Sequence, residues 1–124
     1  MTKVKQFEAA WRQSCKGDFS LLDEITDQSF QAKSQGIIVD LEAYKGIIKA
    51  LTKSMIIGPF RVIYETDEFL CIHQYSKFRN AEIFDASITA VSYRDQKIIH
   101  QESRREKLDY DPSEGLDWNW EDYL

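Results

Sequence analysis

Cysteine, proline, glycine and histidine are all scarce in this 124-residue chain, and each scarcity excludes something. Two cysteines, Cys15 and Cys71, with no CxxC spacing, fit reduced, buried thiols rather than a disulfide framework or a zinc site, so the cytoplasm is the expected compartment. Two prolines and five glycines, with no internal repeat, leave no flexible linker or low-complexity stretch, and the length suits one domain with a single core. Apolar runs of signal-peptide or membrane-spanning length are missing, and no membrane association is expected. Basic residues are also in deficit: 16 Lys and Arg face 21 Asp and Glu, a net charge of -5. Six of those acids lie in Asp109 to Leu124, where there is no Lys or Arg, leaving the body near neutral at 16 basic against 15 acidic residues. No basic stripe exists to neutralise a phosphate backbone, so nucleic acid is not an expected partner. The two histidines, His73 and His100, stand in no HxH or HxxE arrangement, so no metal and no cofactor is expected.

What is present is strongly periodic. Val4, Phe7, Trp11 and Cys15 recur at helical spacing, and Gly17 can end that helix in a left-handed conformation. Asp18 is placed to cap a short second helix burying Leu21, Leu22 and Ile25, after which Ser29 to Ser34 alternate as a strand. Gln35-Gly36 is a turn signal, Ile37 to Val39 a second short strand, and Asp40 a cap for a third helix with the apolar line Tyr44, Ile47, Ile48, Leu51 and Met55. Gly46, inside that helix, suggests close approach of another backbone, and Gly58-Pro59 marks the helix end. Beyond lie strands over Arg61 to Glu65 and Phe69 to Phe78, then a long hairpin from Glu82 to Lys107 that turns at Arg94-Asp95-Gln96-Lys97. Helices first and sheet after predict an α+β fold. Three N-terminal helices pack on one face of a strongly curved antiparallel sheet, with a small strand pair between the second and third helices. Residues 1–108 form the body and 109–124 an acidic, aromatic tail.

This order, with Gly17-Asp18, Leu22 and Ile25, then Asp27, Gln28 and Phe30, Gly36 in a tight turn, the helix Leu41 to Ser54 and the strand-turn-strand Val91 to Ile99, resembles the nuclear transport factor 2-like superfamily. That is the cystatin-like cone fold of SnoaL-like proteins and ketosteroid isomerase. The resemblance covers residues 4 to 108 and implies a cone with an interior pocket. For function it implies little, since the scaffold hosts isomerases, cyclases, dehydratases, hydrolases and proteins without catalysis. Carried over, the isomerase's first-helix Tyr falls on Ala10, its general base near Lys33 or Ser34 and its protonated Asp near Thr89, so that activity is not expected.

If the cone is catalytic, His73 is the first general-base candidate, because an imidazole titrates nearest neutrality, and Asp85, among apolar neighbours, is a candidate acid. Each can equally be an ordinary sheet residue. Trp11, Phe30, Tyr44, Tyr64 and Tyr75 are candidate pocket walls, though aromatic residues at this spacing also serve simply as core. On the hairpin, a two-residue loop at Asp95-Gln96 puts Asp85, Ser87, Thr89, Val91 and Tyr93 on one face with Ile98, His100, Glu102, Arg104 and Glu106. One bulged residue at the turn instead puts Gln101, Ser103 and Arg105 there, and the sequence does not choose. In the tail, Trp118, Trp120 and Tyr123 are expected to dock on the body or on a twin subunit. Two functions compete: a pocket for a small organic ligand without assigned chemistry, in a homodimer formed through the sheet, and an isomerase, cyclase or dehydratase. A third reading is a protein-interaction or dimerisation module with the tail as a clasp.

Overall fold

The computed structural model describes residues 2–124, and within them the periodic stretches become three helices and six strands. Helix α1, Lys3–Cys15, opens at Thr2, whose hydroxyl accepts the Lys5 amide, and buries Phe7, Ala10, Trp11 and Ser14. Gly17, at φ +91°, reverses the chain as a left-handed residue must. Asp18 then accepts the Ser20 amide, and α2, Ser20–Ile25, turns Leu22 and Ile25 inward. Strands β1, Thr26–Ser34, and β2, Ile37–Val39, pair antiparallel around Gln35-Gly36. Asp40 caps α3, Leu41–Ser54, by accepting the Ala43 amide at 2.9 Å.

The meander follows as β3, Met55–Glu65, β4, Phe69–Phe78, β5, Phe84–Arg94, and β6, Lys97–Leu108. All six strands form one sheet in the order β2-β1-β6-β5-β4-β3. The sheet is mixed rather than wholly antiparallel: β1 runs parallel to β6, so the small β1–β2 pair is the far end of the main sheet. Register shifts within β1, within β3 and at the head of β6 bend it around the helices. Residues from all three helices and from the inner face of the sheet share one core, with Phe7, Ile48, Leu70, Ile72, Val91 and Ile98 at its centre.

Two expectations about glycine need correction. Helix α3 stops at Ser54, not at Gly58-Pro59, because Met55, Ile56 and Ile57 are already extended and buried. Pro59 is tolerated inside β3 because β3 is an edge strand and the ladder to β4 skips from Ile57 to Phe60. Nor does Gly46 mark a close approach, since nothing lies within 4 Å of where its Cβ would sit. Gly58 does: a Cβ there would meet the Tyr75 carbonyl oxygen at 3.0 Å and the Trp120 ring at 3.3 Å.

The rings at Gly58 belong to the C-terminal segment, which lies on the outer face of the sheet. Trp120, in a short 3-10 turn over Trp120–Tyr123, is buried with Ile56 and Phe84, while Trp118 stacks on Tyr75. The Trp120 indole donates to Asp111 at 3.0 Å. Burial raises the Asp111 pKa, but hydrogen bonds from the Ser113 amide and hydroxyl and from Trp120 outweigh it and leave the carboxyl below its ordinary value. Arg12 of α1 donates to the carbonyls of Ile57 and Gly58 at 2.6 Å each, with its guanidinium 4.8 Å from the Tyr123 ring centre. One cation therefore ties the first helix to the edge strand and to the tail.

Candidate functional site

Between the inner face of the sheet and helices α1 and α3 the fold leaves a cavity of about 330 Å³. That is the small end of the range for ligand clefts, about 300–1,000 Å³. One wall is apolar: Phe7 and Trp11 from α1, Tyr44, Ile47 and Leu51 from α3, and Ile37 and Val39 from β2. The facing wall is the sheet, and it is polar: Gln74 on β4, Ser87 and Thr89 on β5, and Gln101, Ser103 and Arg105 on β6.

The β6 share of the polar wall follows from one irregularity. Tyr93 pairs with Ile98, but Ser92 pairs with His100, so Ile99 is an extra residue that the partner strand does not match. From there the register runs Val91 to Gln101, Thr89 to Ser103 and Ser87 to Arg105. Because successive strand side chains point to opposite faces, this bulge turns Gln101, Ser103 and Arg105 inward and His100, Glu102 and Arg104 outward. Of the two alternatives left open by the hairpin sequence, the chain adopts the bulged one. The loop itself is two residues, Asp95 and Gln96, both at positive φ. Thr89 and Ser103, directly opposed, share a hydrogen bond at 3.1 Å between their hydroxyls.

At the inner end of the cavity Tyr44 is the best-defined polar group. Its oxygen accepts the Trp11 indole N–H at 2.9 Å and the Gln101 side-chain amide at 2.7 Å. Burial pushes its pKa up to about 12, with the two hydrogen bonds acting in the opposite direction. It is therefore a neutral phenol at any physiological pH. With both lone pairs occupied by donors, its own proton is left to donate elsewhere.

The residues singled out in the sequence separate into three groups. Trp11, Tyr44 and Thr89 line the cavity. Phe30 and Val91 lie in the core around it, the Phe30 ring 5.4 Å from that of Tyr44. The rest lie elsewhere. His73 does not reach the cavity: β4 turns Leu70, Ile72 and Gln74 inward, which places Cys71, His73 and Tyr75 on the outer face. The His73 and Tyr75 rings touch there, 4.6 Å apart, and Tyr75 stacks on Trp118. Tyr64 is exposed on the outer face beside Phe69, and the bulge sends His100 outward beside Gln31 of β1. Asp85 shares the inner face with Ser87 but sits two ladder positions beyond it, opposite Lys107, buried and outside the cavity wall. Cys15 and Cys71 are free and half-buried. Among the described residues, no three His, Cys, Asp or Glu side chains gather as a metal site would require, and no helix is long and apolar enough to cross a membrane.

Gln74 was not singled out in the sequence, whereas Ser87 belonged to the hairpin face that also carries Thr89 and Val91. The signal for Gln74 lay in the alternation Leu70, Ile72, Gln74, Ser76, where a polar residue continues an apolar face. His73, one position away, drew attention by its chemistry and occupies the other face.

No family model matches the chain, and no curated protein matches it in sequence. Solved structures do match in fold. The proposed polyketide cyclase IdmH of Streptomyces antibioticus superimposes with a TM-score of 0.64 at 12% identity, over 82% of this chain and 90% of that one. A proposed isomerase from Rhodopseudomonas palustris gives 0.65 at 9% identity, over 82% and 87%. A nuclear transport factor 2-like protein of unknown function from Cytophaga hutchinsonii gives 0.64 at 14% identity, over 83% and 98%. The chain thus shares the α+β fold of nuclear transport factor 2-like proteins.

Proposed function

We propose that the protein binds a small organic molecule in the hollow of the cone, without proton-transfer chemistry, and works as a homodimer formed through the outer face of the sheet. The observation that carries the binding reading is the pairing of an apolar helix wall with a polar sheet wall around about 330 Å³, with the Tyr44 hydroxyl held by two donors at its inner end. A ligand in such a site gains from burial of its apolar body, and a few fixed polar groups select its orientation. Structural neighbours proposed as a cyclase and an isomerase are compatible with an occupied cone. The acid-base reading has less support, because among the described residues no His, Asp or Glu borders the cavity.

The test uses a neutral, environment-sensitive probe, 6-propionyl-2-dimethylaminonaphthalene. Its emission should brighten and shift to the blue with the wild-type protein. Ser87→Phe, which sends a ring into the cavity from a strand position that tolerates one, should abolish the shift while leaving the melting temperature nearly unchanged. Equal brightening by the folded variant would move binding elsewhere and end this reading.

A further inference from the structure

The cavity's charge is one-sided. Arg105 stands on the polar wall directly across from Ser87, and among the described residues no carboxylate lies within 4.0 Å of its guanidinium. Its one side-chain contact of hydrogen-bond type is weak, Nη1 to the Met55 sulfur at 3.8 Å. Among the described residues, no Asp or Glu borders the cavity. Lys33 does border it, but pairs in register with Glu102, whose side chain faces outward, so its charge is directed away from the hollow. A single unpaired guanidinium at the mouth of a partly desolvated site, with no counter-charge on the walls, favours an anion there.

The opposite pole is Tyr44. Its oxygen is saturated by the Trp11 and Gln101 donors, so its proton is offered to an acceptor in the cavity it lines. Gln101, which holds this phenol, and Arg105 are four residues apart on β6, about 13 Å along an extended strand before their side chains reach inward. Between the poles the far wall is apolar, from Phe7 and Trp11 to Leu51.

We propose that the cavity selects an organic anion with a flat apolar body: Arg105 and the Ser87 hydroxyl hold a carboxylate at the mouth, and the Tyr44 hydroxyl donates to a carbonyl at the inner end. This rests on the small-molecule reading above and names the ligand class. Tyr44 stays a donor over the whole physiological range, since burial keeps the phenol protonated. Arg105 is exposed enough for its attraction to weaken as salt rises.

Three probes separate the two poles: 6-acetyl-2-naphthoate, its neutral methyl ester, and 6-ethyl-2-naphthoate, which keeps the carboxylate but loses the ketone. Calorimetric titration of the full chain should show the acetyl acid binding roughly tenfold or more tighter than its ester, as a charged hydrogen bond implies. Arg105→Gln should erase that preference without changing affinity for the ester. Tyr44→Phe should erase the preference for the acetyl over the ethyl acid and leave the acid-over-ester preference in place. If the ester binds as well as the acid, or Arg105→Gln leaves the acid's affinity intact, the anion assignment is wrong while the small-molecule reading survives. If the acetyl preference persists in Tyr44→Phe, the inner pole is wrong. Failure of all three probes to bind, together with no response from the neutral naphthalene probe above, removes both.

Discussion

His73 illustrates how one side chain can matter without touching the site. Desolvation, then the positive charge of Arg61 on the neighbouring strand, holds its pKa below the ordinary 6.5. Ile88 of β5 and Tyr75 of its own strand supply no opposing charge, and Nδ1 is buried without a partner. The folded chain therefore takes up this proton less readily than the unfolded chain. The stability it contributes is complete above about pH 6.5 and falls as the pH drops through that value towards the depressed one. Urea midpoints measured from about pH 7.5 to about pH 5 should fall more steeply for the wild type than for His73→Gln. Parallel curves would assign the acid sensitivity to other groups.

At the scale of elements, the outer-face cluster makes the C-terminal segment part of the folded unit. Trp120 is 7% exposed, its indole is hydrogen-bonded to Asp111, and a Cβ on Gly58 would press on its ring at 3.3 Å. Trp120→Ala should cost about 3–5 kcal/mol, the usual range for emptying a large aromatic site. Truncation after Leu108 should lower the melting temperature at least as far as Trp120→Ala does. An unchanged transition in both variants would mean the rings rest on the sheet without stabilising it. The tail's aromatic content was visible in the sequence, but the face on which it docks was not, since nothing local distinguishes Tyr75 and Phe84 as partners from Tyr75 and Phe84 as pocket walls. The helices were legible because Phe7, Trp11, Tyr44 and Ile48 repeat at one period and Asp18 and Asp40 mark starts. The polar wall was legible only as one of two alternatives. A bulge at Ile99 is a backbone event, and neither Ile98 nor Ile99 differs from its neighbour in any way that says which is unpaired. His73 and Tyr75 were assigned by residue chemistry, whereas strand alternation, which places Gln74 inward, decided the outcome.

For the whole molecule, the helices cover the inner face of the sheet and the tail covers only one end of the outer face. The remainder exposes Tyr64 at 57% and Ile88 at 49%, with Ala86 and Ala90 in the same strand row. A second copy of the chain is the occupant that would bury this surface symmetrically. Sedimentation at micromolar concentration should give a dimer, and Ile88→Glu, which places a charge in the middle of this exposed row, should give a folded monomer. A monomeric wild type would leave the outer face without this partner.

The extra residue at Ile99 has an effect out of proportion to its size. Strand β6 carries two complete sets of side chains: a neutral and cationic one, Gln101, Ser103 and Arg105, shown to the hollow, and a titratable one, His100, Glu102 and Arg104, shown to the surroundings. Which set lines the cavity depends on the length of the backbone between the turn and the ladder. A lineage that lost a single codon there would turn the neutral and cationic wall of the cavity into one bearing an imidazole and a carboxylate, with every other strand left in place.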